Sequence, residues 1–443
     1  MSMSTETVPK LTLFPLSTEV NKQGHLLIGG CDVVDLAKEF GTPLYLFDES
    51  TLRHKCRVFK EEYGKHYPDT LVIYASKAFL DRALALVLRE EGLGLDVVSG
   101  GELSIAHSVG FPMDKVYFHG NNKTLEELNL ALDWGVGRIV VDNLYELELL
   151  NRLAEKRGTD QNILLRLTPG IDPHTHQYTT TGTIESKFGF PIATGQAEEA
   201  VNQALSASNL NLLGFHFHLG SPVPDVQPYE LAIEIVLRFS RGMNQKFGFD
   251  LGEFDIGGGF AVPYTVDSEV PTIAEYARAL TDKLSGLVSE LGLSRPRLIV
   301  EPGRAIVAQA GVALYKVGAI KEIPGIKKYV CVDGGISDNI RPALYGAKYE
   351  ALVANKALAS GRNRVTIVGK LCESGDILVQ DVNLAAARPG DVIAIPVSGA
   401  YSIPMSSNYN ALPRPAIAMA KEGRARLIRR RETYQDLTSL DLI

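Results

Sequence analysis

Lys77 is the residue of this 443-residue chain most suited to covalent chemistry, because it comes just after the apolar run Leu71–Tyr74. Such a run predicts a strand, and a lysine that follows it stands at the rim of a sheet rather than on a solvated face. Position alone does not separate it from an ordinary surface lysine. A glycine run, a Glu-Pro-Gly-Arg stretch and a Cys-Glu-Ser-Gly-Asp stretch supply the other groups needed to hold pyridoxal phosphate on a lysine and decarboxylate an amino acid.

The loops after the seventh and eighth apolar runs carry groups suited to an anion and to a pyridine ring. Gly257–Gly259 let backbone N–H groups approach a phosphate closely, although a tight turn is the simpler explanation of a glycine triplet. Glu301, at the end of the eighth run, would keep a pyridine nitrogen protonated. Arg304, which follows Gly303, has the fork geometry for a phosphate or a carboxylate, and a structural Glu–Arg pair is the alternative.

Two histidines stand at the end of the sixth apolar run. His216 and His218 alternate onto the same face of the predicted strand, so they qualify as metal ligands. No acidic residue lies near them in the sequence at ligand spacing, and we therefore expect no metal site. An imidazole stacked on a cofactor ring, with the hydroxyl of Ser221 reaching the phosphate, is the better interpretation.

The last third of the chain adds groups suited to a substrate. If Pro342 is the first helical residue, Arg341 caps the turn and Tyr345 lies one turn further on the same side. An arginine and a tyrosine so placed suit a carboxylate. Cys372, next to Glu373, is a candidate proton donor, and a lone buried cysteine is the alternative.

Eight short apolar runs alternate with helical patterns and position these residues. This order predicts parallel βαβ units, and eight of them close into a (β/α)8 barrel with its active site at the C-terminal rim. An open doubly wound sheet is the structural alternative. The runs are Leu71–Tyr74, Leu95–Val98, Val116–Phe118, Arg138–Val141, Ile163–Leu167, Leu212–Phe217, Phe254–Ile256 and Leu298–Val300. The residues at their ends are Lys77, Asp96, Ser99, His119, Asp142, Arg166, His216, His218, Gly257–Gly259, Glu301 and Arg304.

The pattern of apolar and polar residues changes after Arg304. Short alternating runs separated by Gly, Pro and Asp predict a mainly antiparallel β domain. The N-terminal segment lies outside the barrel pattern and is assigned to the same domain. We therefore predict a cofactor-binding barrel over residues 43–310 and a β domain built from residues 1–42 and 311–443.

Composition excludes several classes of protein. Hydrophobic residues make up 45% and charged residues 22%, and the net charge of −7 comes from interspersed charges, as is typical of a globular protein. Four scattered cysteines argue against a disulfide framework and structural zinc. Without a secretory signal or a membrane-spanning run, we expect a cytoplasmic protein with no membrane partner. The basic cluster Arg424–Arg431 is punctuated by apolar residues, which favours a solvated amphipathic end over a nucleic-acid surface.

The motifs, in their order along the chain, resemble those of the fold-type III pyridoxal-phosphate-dependent decarboxylases, most closely the diaminopimelate decarboxylases. The resemblance covers about residues 25–420. Any one motif is weak, whereas the ordered set is specific. The motifs are Tyr-Ala-Ser-Lys-Ala-Phe, His-Gly-Asn-Asn-Lys, Thr-Gly-Thr-Ile-Glu-Ser-Lys-Phe-Gly-Phe, His-Leu-Gly-Ser, Asp-Ile-Gly-Gly-Gly-Phe, Glu-Pro-Gly-Arg, Ile-Arg-Pro-Ala-Leu-Tyr and Cys-Glu-Ser-Gly-Asp.

The resemblance implies decarboxylation of meso-2,6-diaminopimelate to L-lysine with pyridoxal 5'-phosphate as cofactor. Lys77 would hold the cofactor covalently, and Cys372 would protonate the carbon from which carbon dioxide has left. It also implies a homodimer with active sites at the interface, where Cys372 and Glu373 would come from the partner chain. The implied cofactor-binding residues are Lys77, Asp96, His218, Ser221, Gly257, Gly258, Gly259, Glu301, Gly303, Arg304 and Tyr401. The implied substrate-binding residues are Arg304, Arg341, Tyr345, Glu373 and Tyr401.

Two departures from the family pattern lie near the substrate end and bear on specificity. Ile336-Ser337 stands where many members have Met-Asn or Met-Thr, and Ser402–Pro404 interrupts the usual Gly-Ala-Tyr to Met-Ser-Ser-Asn-Tyr-Asn run. The alternatives are a decarboxylase of ornithine, arginine or carboxynorspermidine on the same fold, and a protein that holds the cofactor without catalysis. Thr180–Thr183 is a candidate mobile segment beside the site.

Overall fold

The computed structural model describes residues 9–172, 181–183, 185–359 and 363–443. Thr180, the first residue of the segment expected to be mobile, lies outside these ranges. Across the described ranges, no helix is long and apolar enough to cross a membrane.

The described chain consists of strands and of helices of up to about six turns. The strands are β1 (Glu19–Val20), β2 (Leu26–Ile28), β3 (Cys31–Asp32), β4 (Leu44–Asp48), β5 (Thr70–Ala75), β6 (Gly94–Val97), β7 (Val116–Phe118), β8 (Arg138–Val141), β9 (Gln161–Thr168), β10 (Phe190–Pro191), β11 (Leu210–His216), β12 (Glu253–Asp255), β13 (Arg297–Val300), β14 (Gly311–Ile323), β15 (Lys327–Val332), β16 (Leu352–Val353), β17 (Asn363–Val368), β18 (Ile377–Leu384), β19 (Val392–Ile395), β20 (Ala416–Lys421) and β21 (Arg424–Arg429). The α-helices are α1 (Val33–Phe40), α2 (Glu49–His66), α3 (Arg82–Glu90), α4 (Gly100–Ser108), α5 (Leu125–Asp133), α6 (Leu144–Arg157), α7 (Gln196–Ser206), α8 (Gln227–Phe247), α9 (Ile273–Leu291), α10 (Arg304–Val307), α11 (Arg341–Tyr345) and α12 (Tyr434–Thr438).

Eight parallel strands close into a barrel, which confirms the predicted (β/α)8 architecture. The ring runs from β5 through β6, β7, β8 and β9 to β11, β12 and β13, and β13 pairs again with β5. This closure excludes the open doubly wound sheet. Each run identified in the sequence overlaps its strand, and the ends differ by at most two residues.

Apolar side chains fill the inside of the barrel. Ile73, Tyr117, Val140, Leu164 and Ile299 come from five of its strands and form one buried cluster. The interior is therefore a packed core, and chemistry is confined to the loops at the strand ends.

Several helices around the barrel begin at side chains that accept the first free backbone N–H groups, whereas α7 and α8 begin without such a cap. Asp81 accepts from the N–H of Leu84 at the start of α3, and Thr124 and Thr272 form capping boxes before α5 and α9. At the other end of α9, Gly292 adopts the left-handed conformation. These caps fix where each strand-to-helix loop ends, and the loops after the strands carry the candidate residues.

Strands β4 and β14–β21 form a second, mainly antiparallel sheet, as predicted. Its order is β18-β17-β15-β14-β4-β20-β21, with β19 paired to β14 and β16. Two of its pairings, β15–β17 and β4–β20, are parallel. β16, β18, β20 and β21 are not among the strands predicted from the sequence. The arginine-rich stretch expected to be a solvated amphipathic end is largely the edge strand β21, which pairs with β20 and exposes most of its residues.

The chain divides into two compact units. Residues 56–261 and 270–303 make up the first, called here the barrel unit. Residues up to 55, residues 262–269 and residues 304–443 make up the second, called here the sheet unit. Buried residues of β4, β14, β19 and β20, with the small sheet β1–β3 and α1, form the core of the sheet unit. The expected domain boundaries at residues 43 and 310 stay a prediction.

Candidate active site

Lys77 lies at the C-terminal rim of the barrel unit, in a one-turn 3-10 helix (Ser76–Ala78) that directly follows β5. Its Nζ donates a hydrogen bond to Oδ2 of Asp96 at 3.0 Å. The two residues meet because β5 and β6 are paired so that Ala75 stands opposite Asp96. Asp96 is buried, whereas 36% of the Lys77 side chain is exposed. The amine is thus anchored by a buried carboxylate and still open to a ligand.

Glu301, which follows β13, is buried between two histidines. Oε1 lies 3.0 Å from Nε2 of His119, and Oε2 lies 3.6 Å from Nε2 of His216. The two imidazole rings are 4.8 Å apart and nearly perpendicular. Burial would raise the pKa of Glu301, but His119 and His216 outweigh burial and hold that pKa well below its usual value. Glu301 is therefore an anion in a dry site.

Asp255, at the end of β12, is a second buried carboxyl group beside Glu301. Burial and then the charge of Glu301 raise the pKa of Asp255 well above its usual value. One of its oxygens accepts the N–H of Gly257 at 2.9 Å. Asp255 is thus protonated where Glu301 is ionised.

In the folded chain an acidic residue does lie near His216, although none stands near it in the sequence at ligand spacing. His119, His216 and Glu301 each offer one nitrogen or carboxylate oxygen, and these three atoms lie within 4.8 Å of one another. That is close enough for a metal ion. Sequence spacing missed this trio because its members come from three different strands. Burial lowers the pKa of His216 to about 3, with help from the charges of His119 and Arg166, so this imidazole is neutral.

His218 and the glycine triplet form the next part of the rim. The N–H of Gly258 donates to Nδ1 of His218 at 3.2 Å. Burial, and after it the charge of Lys77, lowers the pKa of His218 well below its usual value. The ring is therefore neutral, and Nδ1 accepts a hydrogen bond, so the ring proton lies on Nε2.

The triplet must be glycine because backbone atoms crowd each position. A Cβ on Gly257 would lie 2.5 Å from the carbonyl oxygen of Phe217, and one on Gly258 would lie 2.1 Å from that of Glu301. A Cβ on Gly259 would lie 2.4 Å from the carbonyl oxygen of Gly220. The loop can therefore present only backbone to a ligand.

The other strand-end residues of the barrel unit divide between the rim and the scaffold. Ser221 lies partly buried in the loop after β11, and a Cβ added to Gly303 would lie 3.0 Å from the Cβ and the carbonyl oxygen of Ala75. Ser99 instead caps α4, and Asp142 accepts the N–H of Gly189 at 2.9 Å. The structure thus gives Ser99 and Asp142 structural partners.

In the sheet unit, Arg304 and Arg341 are buried around one tyrosine that the sequence analysis missed. Nη1 of Arg304 donates to the hydroxyl of Tyr264 at 2.7 Å, and the guanidinium carbon of Arg341 lies 4.8 Å from the Tyr264 ring centre. The Arg304 guanidinium also lies 4.8 Å over the ring of Tyr401. Nη1 of Arg341 donates to the hydroxyl of Tyr349. An aromatic residue in the polar loop after the glycine triplet was the sole sequence signal for Tyr264.

The helix that carries Arg341 begins one residue earlier than expected. α11 starts at Arg341 with Pro342 as its second residue, and Ile340 occupies the capping position. Arg341 therefore belongs to the helix and does not cap it. Tyr345, the last residue of α11, is partly buried.

Cys372 and Glu373 lie on an exposed loop of the sheet unit. The N–H of Cys372 donates to Oδ1 of Asn410 at 3.0 Å, and its side chain is exposed, which excludes the buried-cysteine alternative. Asp376 stabilises this loop by accepting hydrogen bonds from the N–H groups of Leu371 and Ile336, at 2.8 and 2.7 Å. No sequence pattern indicates this role of Asp376.

The barrel rim fits pyridoxal phosphate in the chemistry of its groups. Lys77 offers an amine to the aldehyde, and the buried anion Glu301 suits a protonated pyridine nitrogen. The crowded glycine triplet leaves only backbone at the phosphate-binding loops that are frequent in this fold.

Comparisons with known proteins agree with this arrangement. The family model described as the pyridoxal binding domain of pyridoxal-dependent decarboxylases matches residues 49–308. The chain is similar to the diaminopimelate decarboxylase of Bacillus subtilis, with 45% identity over 422 residues that cover 95% of this chain and 96% of the relative.

Solved structures of similar proteins extend the comparison. A diaminopimelate decarboxylase from M. jannaschii in complex with L-lysine aligns with a TM-score of 0.90 and 35% identity, over 97% of this chain and 98% of that one. One from Helicobacter pylori complexed with L-lysine aligns with a TM-score of 0.84 and 32% identity, over 92% of this chain and 99% of that one.

Proposed function

The chain belongs to the pyridoxal-dependent decarboxylases, within them to the diaminopimelate decarboxylases, and we propose that its rim residues decarboxylate meso-2,6-diaminopimelate to L-lysine and carbon dioxide. Pyridoxal 5'-phosphate is the cofactor. The observation that supports this substrate most directly is the pair of buried arginines, Arg304 and Arg341. A diacid that loses one carboxylate needs a cationic site for the one it keeps.

In the barrel unit, each residue takes a role that its surroundings support. Lys77 holds the cofactor covalently, and Asp96 orients its amine. Bound pyridoxal phosphate supplies an electron sink for the electron pair of the bond that breaks. Glu301, kept anionic by its histidines, holds a proton on the pyridine nitrogen. His218, neutral and held by a hydrogen bond from Gly258, would stack on the pyridine ring.

The phosphate and the substrate are assigned to the remaining predicted residues. Gly257–Gly259, Ser221 and Gly303 frame the phosphate through backbone and hydroxyl groups. Arg304 serves both the phosphate region and the substrate, and Tyr401 contacts both cofactor and substrate. Arg341, Tyr345 and Glu373 bind the substrate.

Cys372 is the proposed proton donor. It delivers a proton to the carbon that has lost its carboxylate, because a thiol can donate and then regain a proton from solvent at each turnover. Its exposure on the surface of the single chain suits a site completed by a second copy. We therefore propose a homodimer in which Cys372 and Glu373 act in the partner's site, and a cytoplasmic location.

Mixing two inactive variants tests the shared site. Lys77→Ala and Cys372→Ala chains, unfolded together and refolded as mixed dimers, should regain about a quarter of wild-type turnover, because half the dimers are mixed and each has one intact site. No recovery in verified mixed dimers would contradict the sharing.

Substrate identity is tested by turnover on separate amino acids. The cofactor-loaded protein is incubated with meso-diaminopimelate, L-ornithine or L-lysine, and carbon dioxide and products are measured. Lysine formed from diaminopimelate alone is the expected result. Putrescine or cadaverine would move the protein to the polyamine branch, and bound cofactor without turnover on any amino acid would favour a non-catalytic role.

A further inference from the structure

Tyr264 stands between the two buried arginines of the sheet unit. Its hydroxyl accepts a hydrogen bond from Nη1 of Arg304 at 2.7 Å, and its ring centre lies 5.8 Å from the guanidinium carbon of Arg304 and 4.8 Å from that of Arg341. Tyr349 packs edge-on against Tyr264, with ring centres 5.4 Å apart, and its hydroxyl accepts from Arg341. Two cations thus share one aromatic cluster.

Beside Arg341, this cluster takes the place that a carboxylate usually occupies next to a buried arginine. Within the described ranges, Arg341 is 6% exposed and has no carboxylate within ion-pair distance. A buried guanidinium is costly unless its N–H groups are accepted, and two like charges held close together add repulsion. The phenol oxygens and the ring faces of Tyr264 and Tyr349 offset part of that cost.

The electrostatics of Tyr264 agree with this geometry. Burial would raise the pKa of its phenol, but the positive charges of Arg304 and then Arg341 outweigh burial and lower it. The phenol oxygen is therefore polarised towards the arginines. Within the described ranges, no carboxylate at ion-pair distance neutralises Arg341, and its positive charge is available to an anion.

We propose that Tyr264 is a positioning residue that keeps Arg304 and Arg341 together as one carboxylate-binding pair, and that it thereby sets the preference for a substrate with a carboxylate at its unreactive end. The proposal rests on the proposed function for the identity of that substrate. The pairing of the two arginines by Tyr264 does not depend on the identity of the substrate and is tested separately.

Binding of pimelate, a seven-carbon diacid without amines, tests the pairing without catalysis. Tyr264→Phe removes the phenol oxygen, and the Kd for pimelate, measured by calorimetry, should rise about tenfold. Affinity falls because each arginine then relaxes away from the other. Tyr117→Phe is the matched control. Tyr117 also donates to a charged partner, Glu253, at 3.1 Å and lies 5.5 Å from the guanidinium of Arg138, but it belongs to the barrel unit, where Glu253 is the first residue of β12.

Kinetics supply the second readout. Tyr264→Phe should raise KM for diaminopimelate with little change in kcat, and should narrow the discrimination between diaminopimelate and L-lysine, which has no carboxylate at its far end. The proposal would be overturned if Tyr264→Phe bound pimelate as tightly as the wild type and discriminated between diaminopimelate and L-lysine equally well. Failure of the wild type to decarboxylate diaminopimelate would overturn the proposed function instead, and the pimelate experiment would still decide on Tyr264.

If Tyr264→Phe does not fold, the wild type alone decides. Ultraviolet titration of its tyrosines should show one phenol that ionises before the others, and saturating pimelate should move that ionisation to higher pH. The added carboxylate competes for the same two positive charges. A titration curve that pimelate leaves unchanged would refute the pairing.

Discussion

Asp255 and Glu301 are neighbouring buried carboxyl groups whose pKa values move in opposite directions. Burial and the charge of Glu301 raise the pKa of Asp255, whereas His119 and His216 overcome burial and lower that of Glu301. The pair therefore carries one negative charge, placed on Glu301. Neighbouring acids with separated pKa values are characteristic of sites that hold or move a proton.

Replacing Glu301 removes that charge with little change of shape. Glu301→Gln should lower kcat about a hundredfold or more, because a neutral amide cannot hold the proton on the pyridine nitrogen. Cofactor content should stay near that of the wild type, as measured by absorbance after gel filtration. Glu253→Gln is the control, since Glu253 is a buried carboxylate at the start of β12, paired with Arg138 at 2.6 Å. Equal losses in the two variants would show that burial alone matters.

Lys77→Ala should abolish both covalent attachment of the cofactor and turnover. The alanine side chain has no amine to react with the aldehyde, and Asp96 loses its cation. The visible absorbance of the lysine-bound cofactor should disappear. Lys77→Arg keeps the positive charge beside Asp96 and should be equally inactive. An unchanged spectrum in Lys77→Ala would disprove the assignment.

Cys372→Ala should slow turnover about a hundredfold or more while cofactor stays bound, which is the usual loss when a proton donor is removed. The variant should retain its cofactor spectrum, because Cys372 contributes no atom to the barrel unit. Cys331→Ala, which changes a partly buried cysteine of β15, is the matched control and should keep full activity. Full activity of Cys372→Ala would remove this thiol from the mechanism.

Gly258→Ala should destabilise the protein by roughly 1–3 kcal/mol, since its Cβ would lie 2.1 Å from a backbone oxygen that cannot move freely. Gly286→Ala, in the middle of α9 with no heavy atom within 4 Å of the added Cβ, should instead be neutral or slightly stabilising. Thermal unfolding of both variants gives the comparison. Similar melting temperatures would show that the glycine triplet is not crowded.

Asp338 should make the folded protein sensitive to pH. It is buried and accepts hydrogen bonds from Tyr315, Tyr45 and Gly335, and burial raises its pKa from 3.8 to about 6. The folded state thus holds this proton more tightly than the unfolded state. Its contribution to stability is fully present below pH 3.8 and falls by about 3 kcal/mol as the pH rises through about 6.

The neutral variant Asp338→Asn isolates this effect. Between pH 4 and pH 6 the wild type should lose stability relative to Asp338→Asn, as measured by urea unfolding at fixed temperature. Parallel pH profiles for the two proteins would show that Asp338 does not carry the raised pKa.

The barrel could be predicted from sequence because its parallel strands are buried on both faces and read as short apolar runs. β18 was missed because buried and exposed side chains follow one another irregularly along Ile377–Leu384. β21 was missed because most of its residues are exposed and its arginines resemble a solvated helix face. Pairing with β17 and with β20 makes these segments strands, and pairing is not a local property of sequence.

The candidate residues at the strand ends were predictable one by one, but their partnerships were not. Glu301 was identified from its motif, yet its contacts with His119 and His216 bring together three strands. Tyr264 carried no distinguishing motif, and its relation to Arg304 depends on how residues 262–269 fold within the sheet unit. Local patterns locate a group, whereas tertiary structure decides what it touches.

The hydrogen bond between Lys77 and Asp96 has a consequence for the assembly of the active enzyme. As the cation of an ion pair, the lysine has no lone pair with which to attack an aldehyde. It must first release a proton, and its partly exposed side chain lets water or a buffer base remove that proton. The rate at which newly made protein binds its cofactor covalently should therefore increase as the pH rises. Asp96 slows this first attachment, and the effect ends once the cofactor is attached.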